Sequence, residues 1–252
     1  MIINARCGQR SNRIIQIAHG LATAIRRKAA VRITEMDDLR QDYMCEVTWG
    51  KSVDIRSSIF WAVERRLHGL AQQMLGRKFA IPGLVSDWSY RDYEGVEKFH
   101  DAIVRFFSPR MEAVEYALKF ERECFTEGMV KIGVHLRRGD YKAWHGGRYY
   151  FNNDVYLRNM RAIAKELPNR KLFILFSNEP LELSDFAVED SQVFISHGDA
   201  LDDHYLMSKC DYLFGPPSTF SRWGAYMGRK PLAFIEDGER TLKLTDFKYQ
   251  SI

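Results

Sequence analysis

In the second half of the chain, short apolar runs and longer amphipathic stretches alternate at a steady cadence. MVKIGVHL (129–136) is continuous, apolar and β-branched, which predicts a strand buried on both faces of a parallel sheet. DVYLRNMRAIAKEL (154–167) brings Val155, Leu157, Met160, Ile163 and Leu167 near one helical face, with Asp154 as the N-cap. KLFILFS (171–177) and QVFIS (192–196) predict two more strands, and LDDHYLMSKC (201–210) a helix between strands. DYLFGPP (211–217) predicts a strand stopped by Pro216 and Pro217. STFSRWGAYMG (218–228) predicts a helix closed by Gly228, and KPLAFIE (230–236) a last strand. Strand, helix, strand at this spacing means βαβ crossovers and a parallel sheet.

The first half opens the same way. MIINARC predicts a strand, CGQRSN a turn, and NRIIQIAHGLATAIRRK (12–28) a helix with Ile14, Ile17, Ala18, Leu21 and Ile25 on one face. After AVRI the pattern weakens. Residues 37–128 carry aromatic and charged residues in helix-like order, clearest in SSIFWAVERRLHGLAQQML, with a loop signal at Pro82-Gly83. No repeat, low-complexity tract or linker interrupts the chain. The preferred division is two α/β halves, residues 1–129 and 130–252, with one continuous domain as the alternative.

Composition narrows the setting. The 252 residues suffice for one large domain or two small ones, and 46% hydrophobic with 28% charged residues fits a soluble globular protein. A net charge of +4 suits anionic ligands better than tight nucleic-acid binding. No apolar run approaches the ~20 residues of a membrane span. Cysteines 7, 45, 124 and 210 match no zinc or redox spacing, so free thiols are expected. There is no signal-peptide pattern and no Asn-x-Ser/Thr acceptor, so a cytoplasmic protein is expected. Peripheral contact with the inner membrane face is left open, as is the oligomeric state.

Several familiar chemistries are absent. Gly50-Lys51-Ser52 resembles the end of a P-loop, but Cys45 stands where the first glycine belongs. There is no Gly-x-Gly-x-x-Gly, Gly-x-Ser-x-Gly or His-Glu-x-x-His, and no Asp-x-Asp clamp for a metal-bound diphosphate. A nucleotide would therefore be handled without a metal.

The strongest candidate site follows the 129–136 strand, in His135-Leu136-Arg137-Arg138-Gly139-Asp140. In parallel α/β sheets, ligands sit beyond the carboxyl ends of strands. An arginine there presents a planar fork matched to phosphate oxygens and keeps its charge at neutral pH. Adjacent strand residues face opposite ways, so only one of Arg137 and Arg138 need point at a ligand. Asp140 would orient an arginine or cap the turn. The alternatives are a purely structural Arg-Asp pair, or the Arg-Gly-Asp tripeptide acting as an adhesion signal. A second site is GPPSTFSRWGAYMG (215–228). There Ser218, Thr219 and Ser221 open a helix whose unpaired N–H groups form an anion cradle, or simply cap it. Arginine on one side of a diphosphate and a helix N-terminus on the other would make it a stable leaving group.

Three blocks, in order, resemble the α-1,2-fucosyltransferase family, glycosyltransferase family 11, and more distantly the α-1,6- and protein O-fucosyltransferases. They are CGQRSNRIIQIAHGLATA (7–24), VHLRRGDY (134–141) and DDHYLMSKCDYLFGPPSTFSRWGAYMG (202–228), with LFILFSNEP (172–180) between the last two. The resemblance implies an α/β fold of GT-B type, two Rossmann-like domains facing across a cleft, with the acceptor on the N-terminal side and the donor bound mainly by the C-terminal domain. It implies metal-independent, inverting transfer of fucose from GDP-fucose to a galactoside hydroxyl in surface glycan synthesis, with no cofactor. By the same resemblance Arg137 contacts the β-phosphate and Arg138 supports it. His135 and Asp203 lie near the guanosine. Ser218, Thr219, Phe220 and Ser221, with Asp140, belong to the donor site, and Gly8 and Asn12 face the diphosphate from the other domain. The chain departs from the family's usual Gly-Gly-Leu-Gly-Asn-Gln opening (Cys7 to Arg13 here), from Phe-Ser-Asp-Asp (Asn178-Glu179 here) and from a Trp-Trp pair (Arg222-Trp223 here). Two other readings are a transferase using another nucleotide sugar and a non-catalytic nucleotide-sugar or glycan binder. Asp140, His19 and Glu179 are candidates for the catalytic base; none is assigned.

Overall fold

A computed structural model describes residues 1–5, 8–34, 36–46, 53–56, 84–85, 90–167 and 170–252. The expected helix over SSIFWAVERRLHGLAQQML, the Pro82-Gly83 loop and Gly50-Lys51-Ser52 lie outside them. The chain divides into two units, Met1–Arg110 and Met111–Ile252.

Among the described residues of the first unit, the strands β1 (Ile2–Asn4), β2 (Val31–Thr34), β3 (Val53–Arg56) and β4 (Leu84–Val85) are all parallel, in the order β3-β2-β1-β4. Helix α1 (Arg10–Arg26) is buried almost all round. The expected face of Ile14, Ile17, Ala18 and Leu21 is buried, but so are Gln16, His19 and Thr23, while Ile25 is only partly covered. His19 and Thr23 are tolerated there because they find partners, whereas the side-chain amide of Gln16 is buried without a hydrogen-bond partner. His19 Nδ1 accepts from the Asp92 amide at 2.9 Å, and Thr23 donates to the Asp92 carboxylate at 2.7 Å. Asp92 in turn caps the short helix Tyr93–Lys98 by accepting from the Gly95 amide.

The second unit holds five parallel strands: β5 (Val130–Leu136), β6 (Lys171–Ser177), β7 (Ser191–Ile195), β8 (Tyr212–Gly215) and β9 (Leu232–Phe234). Their order is β7-β6-β5-β8-β9. The chain thus winds outward from β5 in one direction, then returns to its other side, so β5 and β8 flank the topological switch point. Ile132, Val134 and Leu136 are fully buried in one cluster with Met160 and Ile163 of a helix at Asn153–Glu166. Gly133 faces the other way, against Leu213 and Cys210. Burial on both faces is what the unbroken apolar run of β5 requires, at about 1.5–3 kcal/mol for each large side chain.

Three boundaries differ from expectation, each for a physical reason. The N-cap of Asn153–Glu166 is Asn152, whose side chain accepts from the Val155 amide at 3.2 Å, whereas Asp154 lies in the first turn, where its charge meets the positive helix end. Gly228 does not close its helix, because Arg229 takes the left-handed position with φ of 50°. A Cβ on Gly228 would instead collide with the Ser208 backbone of the neighbouring helix Ala200–Lys209, so the glycine permits close helix packing. Residues 111–129 were expected with the first half, yet belong to the second unit. Their helix Glu115–Cys124 binds Ala200–Lys209 through Ala117 N to Asp202 Oδ1 at 2.9 Å and Tyr205 OH to Glu121 Oε2 at 3.0 Å. Among the described residues, no helix is long and apolar enough to cross a membrane.

Candidate functional site

The period of two along β5 decides where its exit residues go. Arg138 continues the face of Val134 and Leu136, towards the helix Asn153–Glu166. Its guanidinium donates to Asn153 Oδ1 and lies 5.9 Å from the centre of the Tyr156 ring. Arg137 continues the face of His135 instead. Its Nη2 meets Asp140 at 3.0 Å, its guanidinium stands 5.6 Å from the Tyr141 ring centre, and its side chain is 15% exposed. Asp140 therefore orients an arginine.

The turn is braced from the end of β6. Asn178 accepts from the Arg138 amide at 2.8 Å and donates to its carbonyl at 3.3 Å; Glu179 accepts from the Gly139 amide at 3.0 Å. Gly139 has φ of +56°, and a Cβ there would lie 2.9 Å from Asn178 Nδ2. Glycine is needed here both for the left-handed backbone and for the space.

Across the switch point, β8 comes so close to β5 that a Cβ on Gly215 would overlap the His135 carbonyl. The helix Thr219–Gly228 starts just beyond. Ser218 is its N-cap, accepting from the Phe220 amide at 3.1 Å, and the buried Ser221 donates back to the Ser218 carbonyl at 3.3 Å. Ser218 thus does the ordinary capping work, with the positive end of the helix at the same place. Tyr141 ties the two loops together by donating from its hydroxyl to the Pro217 carbonyl at 2.6 Å. Phe220 is gripped by two imidazoles, stacking with His135 at 5.1 Å and meeting His204 at 4.1 Å between ring centres.

Burial, helped by the charge of Arg137, pulls the His135 pKa down to about 3, so the ring is neutral at physiological pH. Its Nδ1 is buried without a hydrogen-bond partner. Burial also pushes the Asp203 carboxyl up to about 7, although a hydrogen bond from Ser196 at 2.5 Å pulls the other way. Asp203 lies near the end of β7 and adjoins His204, the residue that touches Phe220. Arg137, His135, Asp140, Ser218, Phe220 and Tyr141 form one contiguous site at the switch point. Thr219 and Ser221 open the same helix. Gly8, in the turn after β1, and Asn12, in the first turn of α1, belong to the first unit. Gly8 has φ of +74°, and a Cβ on it would overlap the Asn12 amide. Of the base candidates, Asp140 pairs with Arg137, Glu179 holds Gly139, and His19 accepts from the Asp92 amide.

Sequence reasoning passed over Tyr141, Asn153, Tyr156, Asn178 and His204 as working parts. Applying the strand-end rule to β6 as well as β5 would have found Asn178. Among the described residues, no three His, Cys, Asp or Glu side chains are grouped to hold a metal ion. The thiols of Cys45, Cys124 and Cys210 are free and shifted upward by burial, so they are poor nucleophiles.

Residues 72–238, more than half of the chain, match the family model for glycosyl transferase family 11. The chain belongs to that family. As a family 11 glycosyltransferase it carries its whole switch-point site inside the matched segment. Its fold is shared with a FUT1 mutant from Arabidopsis thaliana in complex with GDP, at TM-score 0.65 and 13% identity, covering 98% of this chain and 73% of that one. It is shared with NodZ α-1,6-fucosyltransferase soaked with GDP-fucose, at TM-score 0.60 and 16% identity, covering 100% and 98%. POFUT1 in complex with GDP-fucose follows at TM-score 0.57 and 11% identity, covering 92% and 96%. The fold is accordingly of the GT-B type, built from Rossmann-like α/β units. Comparison with curated proteins gives no match.

Proposed function

We propose that this family 11 enzyme transfers fucose from GDP-fucose to a hydroxyl of a glycan, with α-1,2 linkage to a galactoside, in the assembly of surface glycans. The acceptor oxygen attacks the anomeric carbon from the side opposite the diphosphate. The bond from that carbon to the β-phosphate oxygen breaks, GDP leaves with the electron pair, and the hydroxyl proton passes to a base. Configuration is inverted, and the charge developing on GDP is met by protein groups rather than by a metal.

The observation that carries the reading is the meeting of the Arg137 guanidinium and the helix start at Ser218 on one switch point, joined by Tyr141. A guanidinium and an oriented helix end are the two devices that stabilise a departing diphosphate. Arg138 acts from behind, fixing the turn that aims Arg137. Phe220, held between His135 and His204, offers a ring beside the helix start for the nucleoside, and Asp203 an acceptor for its base.

Thermal shift with GDP- and UDP-sugars tests the donor, and product analysis with simple galactosides tests the transfer. GDP and GDP-fucose should raise Tm, by about 2.7 kcal/mol of stabilisation at a hundred times Kd. Stabilisation by a UDP-sugar instead would move the enzyme to another donor, and donor binding with no turnover on any galactoside would overturn the transfer to this acceptor.

A further inference from the structure

The loop between the Arg137 turn and the helix at Asn153 carries a ring cluster for which the donor reading has no use. Trp144 stacks on Tyr141 at 4.6 Å, meets His145 edge-on at 4.4 Å and leans on Tyr149 at 5.5 Å, yet remains 40% exposed. Tyr149 packs on the buried core of the second unit, so the cluster rests on a firm base. The backbone beneath it is constrained: His145, Gly146 and Gly147 all have positive φ, at 48°, 67° and 80°. A non-glycine residue held there is strain of the kind found at binding sites.

We infer that this platform, in the second unit rather than on the N-terminal side where the resemblance puts the acceptor, is an acceptor subsite that stacks one pyranose ring of the glycan against Trp144. The inference rests on the proposed transfer reaction and names where its second substrate lies. In near attack the acceptor oxygen must come within ~3–3.5 Å of the anomeric carbon, which is one bond from the diphosphate. The acceptor ring must then lie within about a sugar's length of Arg137. Trp144 meets that condition, because Tyr141 touches both the Arg137 guanidinium and the Trp144 ring. A pyranose presents an apolar face of C–H groups carrying slight positive charge, which suits the negative face of an indole, while its hydroxyls need donors and acceptors at the rim. His145, edge-on to the indole, supplies that rim.

The same residue types could anchor a protein at a membrane surface. Here the cations turn back into the loop: Arg148 lies 5.2 Å from the Tyr149 ring centre, and Lys142 lies 5.4 Å from that of Tyr150 and 3.8 Å from Glu179. They are arranged to hold rings in place rather than to reach a lipid surface.

The test is saturation-transfer NMR of lactose, N-acetyllactosamine and cellobiose with the GDP-loaded full chain. At least one should bind; Trp144→Ala should weaken it tenfold or more, and Trp144→Phe should keep most of the binding. The shift in Tm caused by GDP, and slow hydrolysis of GDP-fucose by water, should be the same in all three proteins. Saccharide binding unchanged in Trp144→Ala would overturn the subsite, as would a wild-type enzyme that takes GDP but none of the three sugars. So would sedimentation with anionic vesicles that Trp144→Ala abolishes while sugar binding persists. Failure of the donor reading would be visible separately, as a GDP titration of the wild type that gives no shift.

Discussion

At the scale of single residues, the site turns on two arginines that look alike in sequence and do different work. Arg137 shares the His135 side of β5 and stands by the Ser218 helix start; Arg138 shares the Leu136 side and is held by Asn153. Replacing Arg137 by Ala should therefore lower kcat/KM by about 10²–10³-fold, comparable to removing one oxyanion donor at ~2.7–4 kcal/mol. Arg137→Lys should recover little, since a single ammonium cannot reproduce the planar fork. A steady-state assay with GDP-fucose decides it: near-wild-type kcat/KM in Arg137→Ala would remove the residue from the reaction. The alternation itself was legible in the sequence, because period two in a strand leaves no choice. The bracing by Asn178 was not, because nothing local to residues 137–140 says that β6 ends beside them; that is a fact of sheet order.

At the scale of elements, the strands and longer helices of the second unit from Val130 onward were readable to within a residue or two at each end, with β6 observed at the expected Lys171–Ser177. The helix Glu115–Cys124, by contrast, lay in the stretch where the pattern weakens. Buried parallel strands are continuous apolar runs, and short helices between them leave little room for misreading. What was misread were the ends, where one residue can serve either local geometry or a neighbour. Gly228 is the clear case: its position suggested a C-cap, yet it lies inside the helix with the Ser208 backbone against it. The two roles predict opposite signs for Gly228→Ala. Helix propensity alone would stabilise the protein by about 0.8–1.0 kcal/mol. Collision with a backbone carbonyl should instead destabilise it by about 1–3 kcal/mol, since the two helices must separate. Urea denaturation of the variant reads the sign directly, and a higher midpoint would refute the packing role.

At the scale of the whole molecule, two buried groups of opposite kind should flatten the pH dependence of stability. His135 has a folded pKa of about 3, below its unfolded value near 6.5. It contributes stability that is full above pH ~6.5 and lost as pH falls towards 3. Asp203 has a folded pKa of about 7, above the ordinary carboxylate value of 3.8. Its contribution is full below pH ~4 and lost as pH rises to 7. Between pH ~4 and 6.5 the unfolded chain holds the proton on His135 and the folded chain holds it on Asp203, so the two slopes oppose each other. Asp203→Asn should uncover the imbalance, since the amide copies the shape of the protonated acid but cannot release a proton. The stability of the variant relative to wild type should climb with pH between about 4 and 7, at up to ~1.4 kcal/mol per unit, and level off above 7. Urea midpoints at half-unit intervals from pH 4 to 8 measure this difference. A difference that does not change with pH would mean that Asp203 is ionised in the folded protein throughout this range, and that burial does not hold its proton.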